Sequence, residues 1–163
     1  MKKNKMKKIA GFTMIEMMIG VVVIGILAAM AGPGFSNWIP RMKLKAEARE
    51  KVNYLRQARS RAIAENSQYG VYFNTSNGET AFFKDTNSPQ LATYESGADS
   101  LVEDLIETEC NVFYANCTLS NDAVVFFPNG SASTSGTIEL HDTESDYEYA
   151  ITVLASTGRI RLD

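Results

Sequence analysis

The chain is poor in the residues that most often build catalytic and metal sites. It contains one histidine, two cysteines and one tryptophan among its 163 residues. Zinc sites use clusters of Cys and His, and His141 alone is available to extend a pair of cysteines. Nucleophilic catalysis needs a base beside a Ser or Cys, and His141 lies at the end of a predicted strand. The sequence therefore predicts neither an enzyme nor a cofactor-binding protein.

Charge is also missing from residues 17–40, which form one long apolar segment. At a helical rise of about 1.5 Å per residue this segment is long enough to cross the ~30 Å core of a bilayer. Basic residues beside a span stay in the cytoplasm. Five lysines precede the segment, at positions 2, 3, 5, 7 and 8. We therefore expect a single-pass membrane protein whose N-terminus is cytoplasmic and whose remainder lies outside the cytoplasm.

A cleaved secretory signal is the alternative interpretation of this N-terminus. Its small-residue cleavage site would follow the apolar stretch, and Ala28-Ala29-Met30-Ala31 offers such a site. The carboxylate of Glu16 argues against this interpretation. A charge inside an apolar segment costs on the order of 2.5–3.5 kcal/mol on insertion scales, so an unpaired carboxylate in this segment indicates that it has a function.

The segment around Glu16 resembles the prepilin leader of type IV pilins and type II secretion pseudopilins. The matching residues are Lys7-Lys8-Ile9-Ala10-Gly11, then Phe12-Thr13-Met14-Ile15-Glu16, and Pro33. The resemblance implies that a prepilin peptidase removes residues 1–11 by cutting between Gly11 and Phe12, and then methylates the new amino group of Phe12. Because this cut precedes the apolar stretch, the membrane anchor is retained.

Glu16 is predicted to be an assembly residue. Phe12 and Glu16 are four residues apart and so share one helix face, and a new ammonium at residue 12 supplies the cation that Glu16 lacks. In the family this ammonium belongs to a neighbouring subunit. A plain membrane anchor with an incidental glutamate is the competing interpretation.

Charge is segregated along the rest of the chain. Residues 41–61 contain eight basic and two acidic side chains, whereas residues 62–163 contain sixteen acidic and three basic ones. The basic stretch is predicted to extend the N-terminal helix to residue 63, with Ala48, Val52, Leu55, Ala58 and Ala62 as an apolar stripe. Gly32, Pro33 and Gly34 predict a kink or local melting. The basic face is either a solvated surface or a contact for anionic lipid or acidic neighbouring heads.

From residue 64 onward the pattern predicts strands. Val71-Tyr72-Phe73 and Ala81-Phe82-Phe83 flank the hairpin turn signal Asn77-Gly78. Further strands are predicted at 123–127, 136–140, 147–154 and 159–162. Residues 85–122 are interpreted as a variable polar excursion, with one short helix or strand at 101–106.

A second resemblance, to the GspH/FimT group, covers most of the chain. It rests on the sequence of the predicted helix around Leu55-Arg56-Gln57-Ala58-Arg59, on Phe127-Pro128-Asn129-Gly130, and on the final segment Gly158-Arg159-Ile160-Arg161-Leu162. The resemblance implies an α+β, type IV pilin-like fold, in which a long N-terminal helix, membrane-embedded to about residue 38, packs on an antiparallel β-sheet head. It also implies a minor subunit of a pilus or pseudopilus that assembles with other pilins.

Two further features carry chemical predictions. Cys110 and Cys117 lie on the side predicted to be oxidising, and a disulfide between them would stabilise the domain by roughly 2–3 kcal/mol in the chain-entropy model. The acidic residues of segment 142–148 offer oxygen ligands at alternate positions, but the EF-hand arrangement is lacking. Calcium binding and a solvated loop both stay open for this segment.

Three functions follow from these patterns. The first is a pseudopilin of a type II secretion system, and the second is a minor pilin of a type IV pilus. The third is DNA capture, known for some FimT-like pilins, whose motif resembles Gly158-Arg159-Ile160-Arg161 followed by a further basic residue. Here the chain continues with Leu162-Asp163, and the acidic head disfavours phosphate binding, so nucleic acid is not an expected partner.

Overall fold

The computed structural model describes residues 12–36, 38–86, 92–103, 106–108, 112–143 and 145–163, without the side chains of 30–36 and 145–146. Gly11 and Cys110, which carry predicted roles, lie outside these ranges. The chain divides into two compact units, Met1–Trp38 and Ile39–Asp163.

The first unit contains helix α1, Met14–Ser36. The large apolar side chains described in it, which lie between Met14 and Leu27, are exposed, for example Met14 at 86% and Val21 at 71%. Within the described ranges, no helix combines the length and hydropathy that a bilayer crossing requires. Helix α1 includes Gly32, Pro33 and Gly34. The kink at these three residues stays a prediction, as does the membrane-embedded segment.

The second unit begins with helix α2, Trp38–Glu65, two residues longer at its end than predicted. All five residues of the predicted apolar stripe are at most 3% exposed, so the helical periodicity is confirmed. Leu44, one turn earlier, extends the buried stripe. Residues at steps of three and four share one face of a helix, and this face packs into the head.

Beyond α2, the described residues form a short 3-10 helix, Ser120–Asp122, and nine strands. In chain order the strands are β1 (Tyr69–Phe73), β2 (Glu79–Lys84), β3 (Ser100–Leu101), β4 (Ile106–Glu107), β5 (Val112–Cys117), β6 (Ala123–Phe126), β7 (Gly136–Asp142), β8 (Ser145–Leu154) and β9 (Arg159–Leu162). They form two antiparallel sheets. Sheet A has the order β3-β2-β1-β6, with β4 also paired to β2, and sheet B has the order β5-β7-β8-β9.

The hairpin between β1 and β2 confirms the turn predicted from Asn77-Gly78. Gly78 has φ +78°, which a residue with a side chain rarely adopts. Its N–H donates to the Asn74 carbonyl at 2.9 Å. This turn fixes the register of β1 on β2, in which Val71 lies opposite Phe82.

The interpretation of 85–122 as an excursion missed strand β5. Val112 and Tyr114 are buried while Phe113 between them is 41% exposed, the alternation of a strand with one covered face. The element predicted at 101–106 is likewise wrong as a single element, because β3 and β4 are separate two-residue strands at its two ends. Strand β5 is an edge of sheet B and completes the core.

A single buried cluster joins α2 to both sheets. It contains Leu55 and Ala58 of α2 together with residues of sheet A and sheet B. Phe73 of β1 and Tyr114 of β5 pack edge to face, with ring centroids 5.6 Å apart. The Tyr114 hydroxyl also hydrogen-bonds Thr80 of β2, so β5 is tied to sheet A by both an apolar and a polar contact.

Polar contacts anchor the end of α2 to both sheets. Glu65 accepts hydrogen bonds from the Tyr69 hydroxyl and from Lys84 Nζ, and the Tyr69 contact lowers the pKa of the Glu65 carboxyl. Arg59 donates from Nε to the Gly130 carbonyl and from Nη2 to the Thr157 carbonyl, both at 3.0 Å. We call this pair of bonds the Arg59 clasp. It joins α2 to the two turns that follow β6 and β8.

The Arg59 clasp requires glycine at position 158. Gly158 has φ +59°, and a Cβ there would lie 2.1 Å from the Gly130 carbonyl oxygen. We expect Gly158→Ala to lower the free energy of unfolding by more than about 3 kcal/mol, because strain and a backbone clash add. Gly97→Ala is the matched control, since Gly97 also has positive φ (+82°) but open space around it. It should cost only about 1–2 kcal/mol.

Chemical unfolding of the full chain in detergent micelles, followed by circular dichroism, measures both variants. Equal losses for Gly158→Ala and Gly97→Ala would show that the close approach at Gly158 carries no cost of its own.

Candidate functional site

The start of α1 is capped by Thr13. Phe12 and Thr13 are outside the helix, the Thr13 hydroxyl oxygen accepts a hydrogen bond from the Glu16 N–H at 3.3 Å, and the Thr13 carbonyl accepts one from the Met17 N–H at 3.3 Å. Thr13 is therefore the N-cap and Glu16 the third helical residue, the spacing of a capping box. The sequence analysis missed this role of Glu16, although the Thr-x-x-Glu pattern was its signal.

The Glu16 side chain is open to other molecules. It is exposed, and among the described residues no cation pairs with it. A negative charge in the first turn is also favoured by the helix dipole. Met14, Met17, Met18, Val21 and Val22 line a shallow apolar groove of about 430 Å³, which lies on the face of α1 opposite Glu16 because these residues follow one another at helical steps that leave Glu16 out. A free carboxylate set in an exposed apolar surface suits contact with another helix that brings a cation.

The head carries a second candidate surface, a basic groove of about 730 Å³ between α2 and the turn from β8 to β9. Three arginines and three apolar side chains contribute to it: Arg56, Arg59, Arg159, Ile63, Leu154 and Ile160. The Arg59 clasp uses one guanidinium, while Arg56 and Arg159 are exposed. The groove therefore offers positive charge at its rim, although the head as a whole is acidic.

A buried ion pair lies on the inner side of α2. Lys51 is 0% exposed and Glu47 is 8% exposed, and Lys51 Nζ lies 3.3 Å from Glu47 Oε2. The sequence analysis counted Lys51 among the eight basic residues of segment 41–61 without assigning its face, and in the structure its side chain points into the head. Removing one partner of a buried pair leaves an uncompensated charge, which typically costs about 3–5 kcal/mol. The ion pair therefore holds both side chains in place and is not a candidate binding site.

Cys117 ends strand β5 and is half-buried. Within the described part of the chain its thiol is free, and burial raises the pKa of this thiol to about 11. Cys110 lies outside the described residues, so its disulfide with Cys117 stays a prediction.

His141 and the acidic segment 142–148 form the end of the β7–β8 hairpin. The His141 ring packs on Phe113 with centroids 5.4 Å apart, and Asp142 is buried. Glu144 lies outside the described residues, as does the side chain of Asp146. Among the side chains that the structure does describe, no three Cys, His, Asp or Glu residues come together as a metal-binding group.

Two family profiles match the chain. The family described as Type II transport protein GspH matches residues 47–157, which include most of α2 and strands β1 to β8, and the match ends before β9. The prokaryotic N-terminal methylation motif matches residues 6–32, which include Gly11, Phe12 and Glu16.

Curated relatives match the chain over part of its length. The type IV major fimbrial protein FimA of Dichelobacter nodosus is 33% identical over 93 residues, which are 53% of this chain and 58% of FimA. The type IV major pilin PilA of Myxococcus xanthus is 41% identical over 64 residues, which are 39% of this chain and 29% of PilA. The chain thus covers between about a quarter and three fifths of these two relatives.

Solved structures share the fold at low sequence identity. The minor pseudopilin EpsH of the type 2 secretion system of Vibrio cholerae aligns with a TM-score of 0.59 and 15% identity, over 74% of this chain and 96% of EpsH. The type IV minor pilin FimU of Pseudomonas aeruginosa aligns with a TM-score of 0.58 and 16% identity, over 76% of this chain and 90% of FimU. These alignments confirm the α+β, pilin-like fold.

The position of Cys117 sets the conditions of a disulfide test. We predict that Cys110 and Cys117 of protein exported by cells become alkylated only after reduction. A free Cys117 would react slowly near pH 8 in the folded protein, because a thiol with pKa about 11 is only about one thousandth thiolate there. Alkylation followed by mass measurement must therefore be done in denaturant, with Cys117→Ser as the control. Two thiols labelled without reductant would exclude the bridge.

Proposed function

Since the chain belongs to the GspH family of type II transport proteins, we propose that it is a minor pseudopilin, a structural subunit of the short filament of a type II secretion system. This family consists of pilin-like structural subunits rather than enzymes, in agreement with the sequence prediction. The observation that carries the proposal is the match of the GspH profile to most of the core of the head, with the methylation motif in front of it.

The proposal includes processing by a prepilin peptidase between Gly11 and Phe12, followed by methylation of the Phe12 amino group. The N-terminal methylation motif supports both steps. The start of α1 supports them as well, because Thr13 caps the helix and Phe12 stays outside it. Backbone groups inside a helix are hydrogen-bonded to each other, whereas those before the cap are accessible to a peptidase.

After processing, the subunit is anchored in the inner membrane by its N-terminal helix, with the head in the periplasm. The lysines of the leader favour this orientation. In the filament, Glu16 of one subunit pairs with the Phe12 ammonium of a neighbouring one. The carboxylate of Glu16, which is exposed and has no cation partner among the described residues, supports this contact.

A minor pilin of a type IV pilus is the second candidate. The relatives FimA and PilA are described as type IV major pilus proteins, and their identity to this chain favours this alternative at the level of sequence. The fold is neutral, since EpsH and FimU align almost equally well. Deletion of the gene followed by separate assays of protein secretion and of surface piliation distinguishes the two candidates, because each predicts the loss of one activity.

Processing is tested by co-expression with a prepilin peptidase. We expect the intact mass to fall by the mass of the eleven-residue leader and to rise by that of one added methyl group, while the protein stays in the membrane fraction. Gly11→Leu should block the cut, because a bulky residue replaces the one that precedes the scissile bond. Gly20→Leu is the control, since a Cβ at Gly20 meets nothing within 4 Å. A mature protein beginning near Met30 would contradict the proposal.

The role of Glu16 is tested with Glu16→Ala and Glu16→Gln. Insertion and head folding should be unchanged, since both residues are cheaper than a carboxylate in lipid and the head is a separate unit. Incorporation into filaments, measured by crosslinking to partner subunits, should fall about tenfold or more in both variants, because neither carries the charge. If Glu16→Gln assembled normally while Glu16→Ala did not, hydrogen bonding or capping rather than ion pairing would be the role of Glu16.

A further inference from the structure

Strand β9 leaves an open edge on sheet B. It is the last strand of that sheet, and its only strand neighbour among the described residues is β8. Ala150 and Asp163 exchange both of their backbone hydrogen bonds, at 3.1 and 2.8 Å. Bonded and non-bonded pairs alternate along an antiparallel ladder. The pairs at Arg161 and Arg159 are therefore bonded, and the N–H and C=O groups of Ile160 and Leu162 point away from β8.

The basic groove adjoins this edge. Arg159 and Ile160 of β9 line one side of the groove and Arg56 and Ile63 of α2 line the other. The guanidinium groups of Arg56 and Arg159 have no ion-pair or hydrogen-bond partner among the described residues, whereas Arg161 is paired with Asp163 at 2.8 Å. Unpaired backbone groups thus lie next to an apolar floor and two free cations.

We propose that β9 and the basic groove bind an extended, acidic segment of a neighbouring subunit, which adds a strand to sheet B. The backbone of the segment bonds to the outward groups of Ile160 and Leu162. Alternate side chains of an added strand point to opposite sides, so apolar ones cover the groove floor while carboxylates reach Arg56 and Arg159. The inference rests on the proposed function, because the filament supplies the neighbouring subunit.

Charge complementarity identifies the occupant as acidic protein. The head of this chain carries sixteen carboxylates against three cations from residue 62 onward, so a neighbouring head of the same composition would bring the charge that the groove lacks. A nucleic acid would also bring anions to Arg56 and Arg159. However, its backbone would approach the acidic remainder of the head, and it would leave the N–H and C=O groups of Ile160 and Leu162 without strand partners.

Binding is tested on the full chain in detergent micelles with fluorescent ten-residue peptides. The probe alternates Val with Glu, and the comparison probes alternate Val with Gln and Val with Lys. A ten-nucleotide single-stranded DNA is the fourth probe. We expect the Val-Glu peptide to bind at least tenfold more tightly than the other three in fluorescence anisotropy.

Two sets of variants separate charge from strand addition. The double variant Arg56→Glu, Arg159→Glu should bind the Val-Glu peptide at least tenfold more weakly than the unchanged chain. Arg49 is an exposed cation of α2 outside the groove, and Arg49→Glu should leave this binding unchanged. Ile160→Pro removes an outward N–H that no ladder bond uses and should also weaken binding, whereas Ile160→Ala keeps this N–H and should bind more tightly than Ile160→Pro. Circular dichroism checks that each variant is folded.

The inference is overturned if the Val-Glu peptide binds no better than the Val-Gln peptide, if DNA binds more tightly, or if the double charge reversal has no effect. It is also overturned if folded Ile160→Pro binds like Ile160→Ala. None of these readouts depends on leader removal or on Glu16. A chain that is processed and assembled but does not bind the peptide would therefore contradict this inference alone, whereas failed processing or failed assembly would contradict the proposed function.

Discussion

Burial of one face of α2 is the constraint on which the rest of the head depends. Each sheet has an apolar face, and the buried cluster brings both faces together around the stripe that includes Val52, Leu55 and Ala58. Burying a Leu or Val side chain contributes on the order of 1.5–3 kcal/mol, so this stripe is a large share of what holds a domain of this size together. The polar contacts of Glu65 and Arg59 complement this packing, because they fix the positions along α2 at which the sheets attach.

The cations of α2 do not form one uniform surface. Lys51 is buried with Glu47, Arg59 holds two backbone carbonyls, and the Arg61 guanidinium lies over the Phe82 ring at 5.3 Å. Arg41 likewise lies over the Tyr147 ring at 5.0 Å. Much of the positive charge that looks free in the sequence is thus committed to the head itself. The charge left over for partners is concentrated at a few positions, among them Arg56 and Arg159.

Periodic features of the sequence predicted their structures well. The stripe on α2 and the Asn77-Gly78 hairpin depend on local spacing and on one backbone conformation, and both can be recognised without knowing the fold. Strand β5 was missed because its alternation spans only Val112 to Tyr114 and stands among polar residues. Lys51 lies three residues after Ala48 and four before Leu55, so the same spacing puts it on the buried face, although lysine is rarely fully buried. For the candidate site, Glu16 was recognised through its resemblance to a motif, whereas the open edge of β9 follows only from the sheet order.

The Arg59 clasp has a consequence for how this head can diverge between species. Both of its bonds end on carbonyl oxygens, which every amino acid carries, so the side chain of Thr157 is not part of the contact. The clasp constrains an arginine at 59 and glycines at 130 and 158, where the backbone adopts positive φ. The clasp itself uses no side chain of the other residues of these two turns, although Thr157 and Asn129 accept hydrogen bonds within their own turns. The surface that a partner meets can therefore drift in sequence while the scaffold beneath it stays fixed.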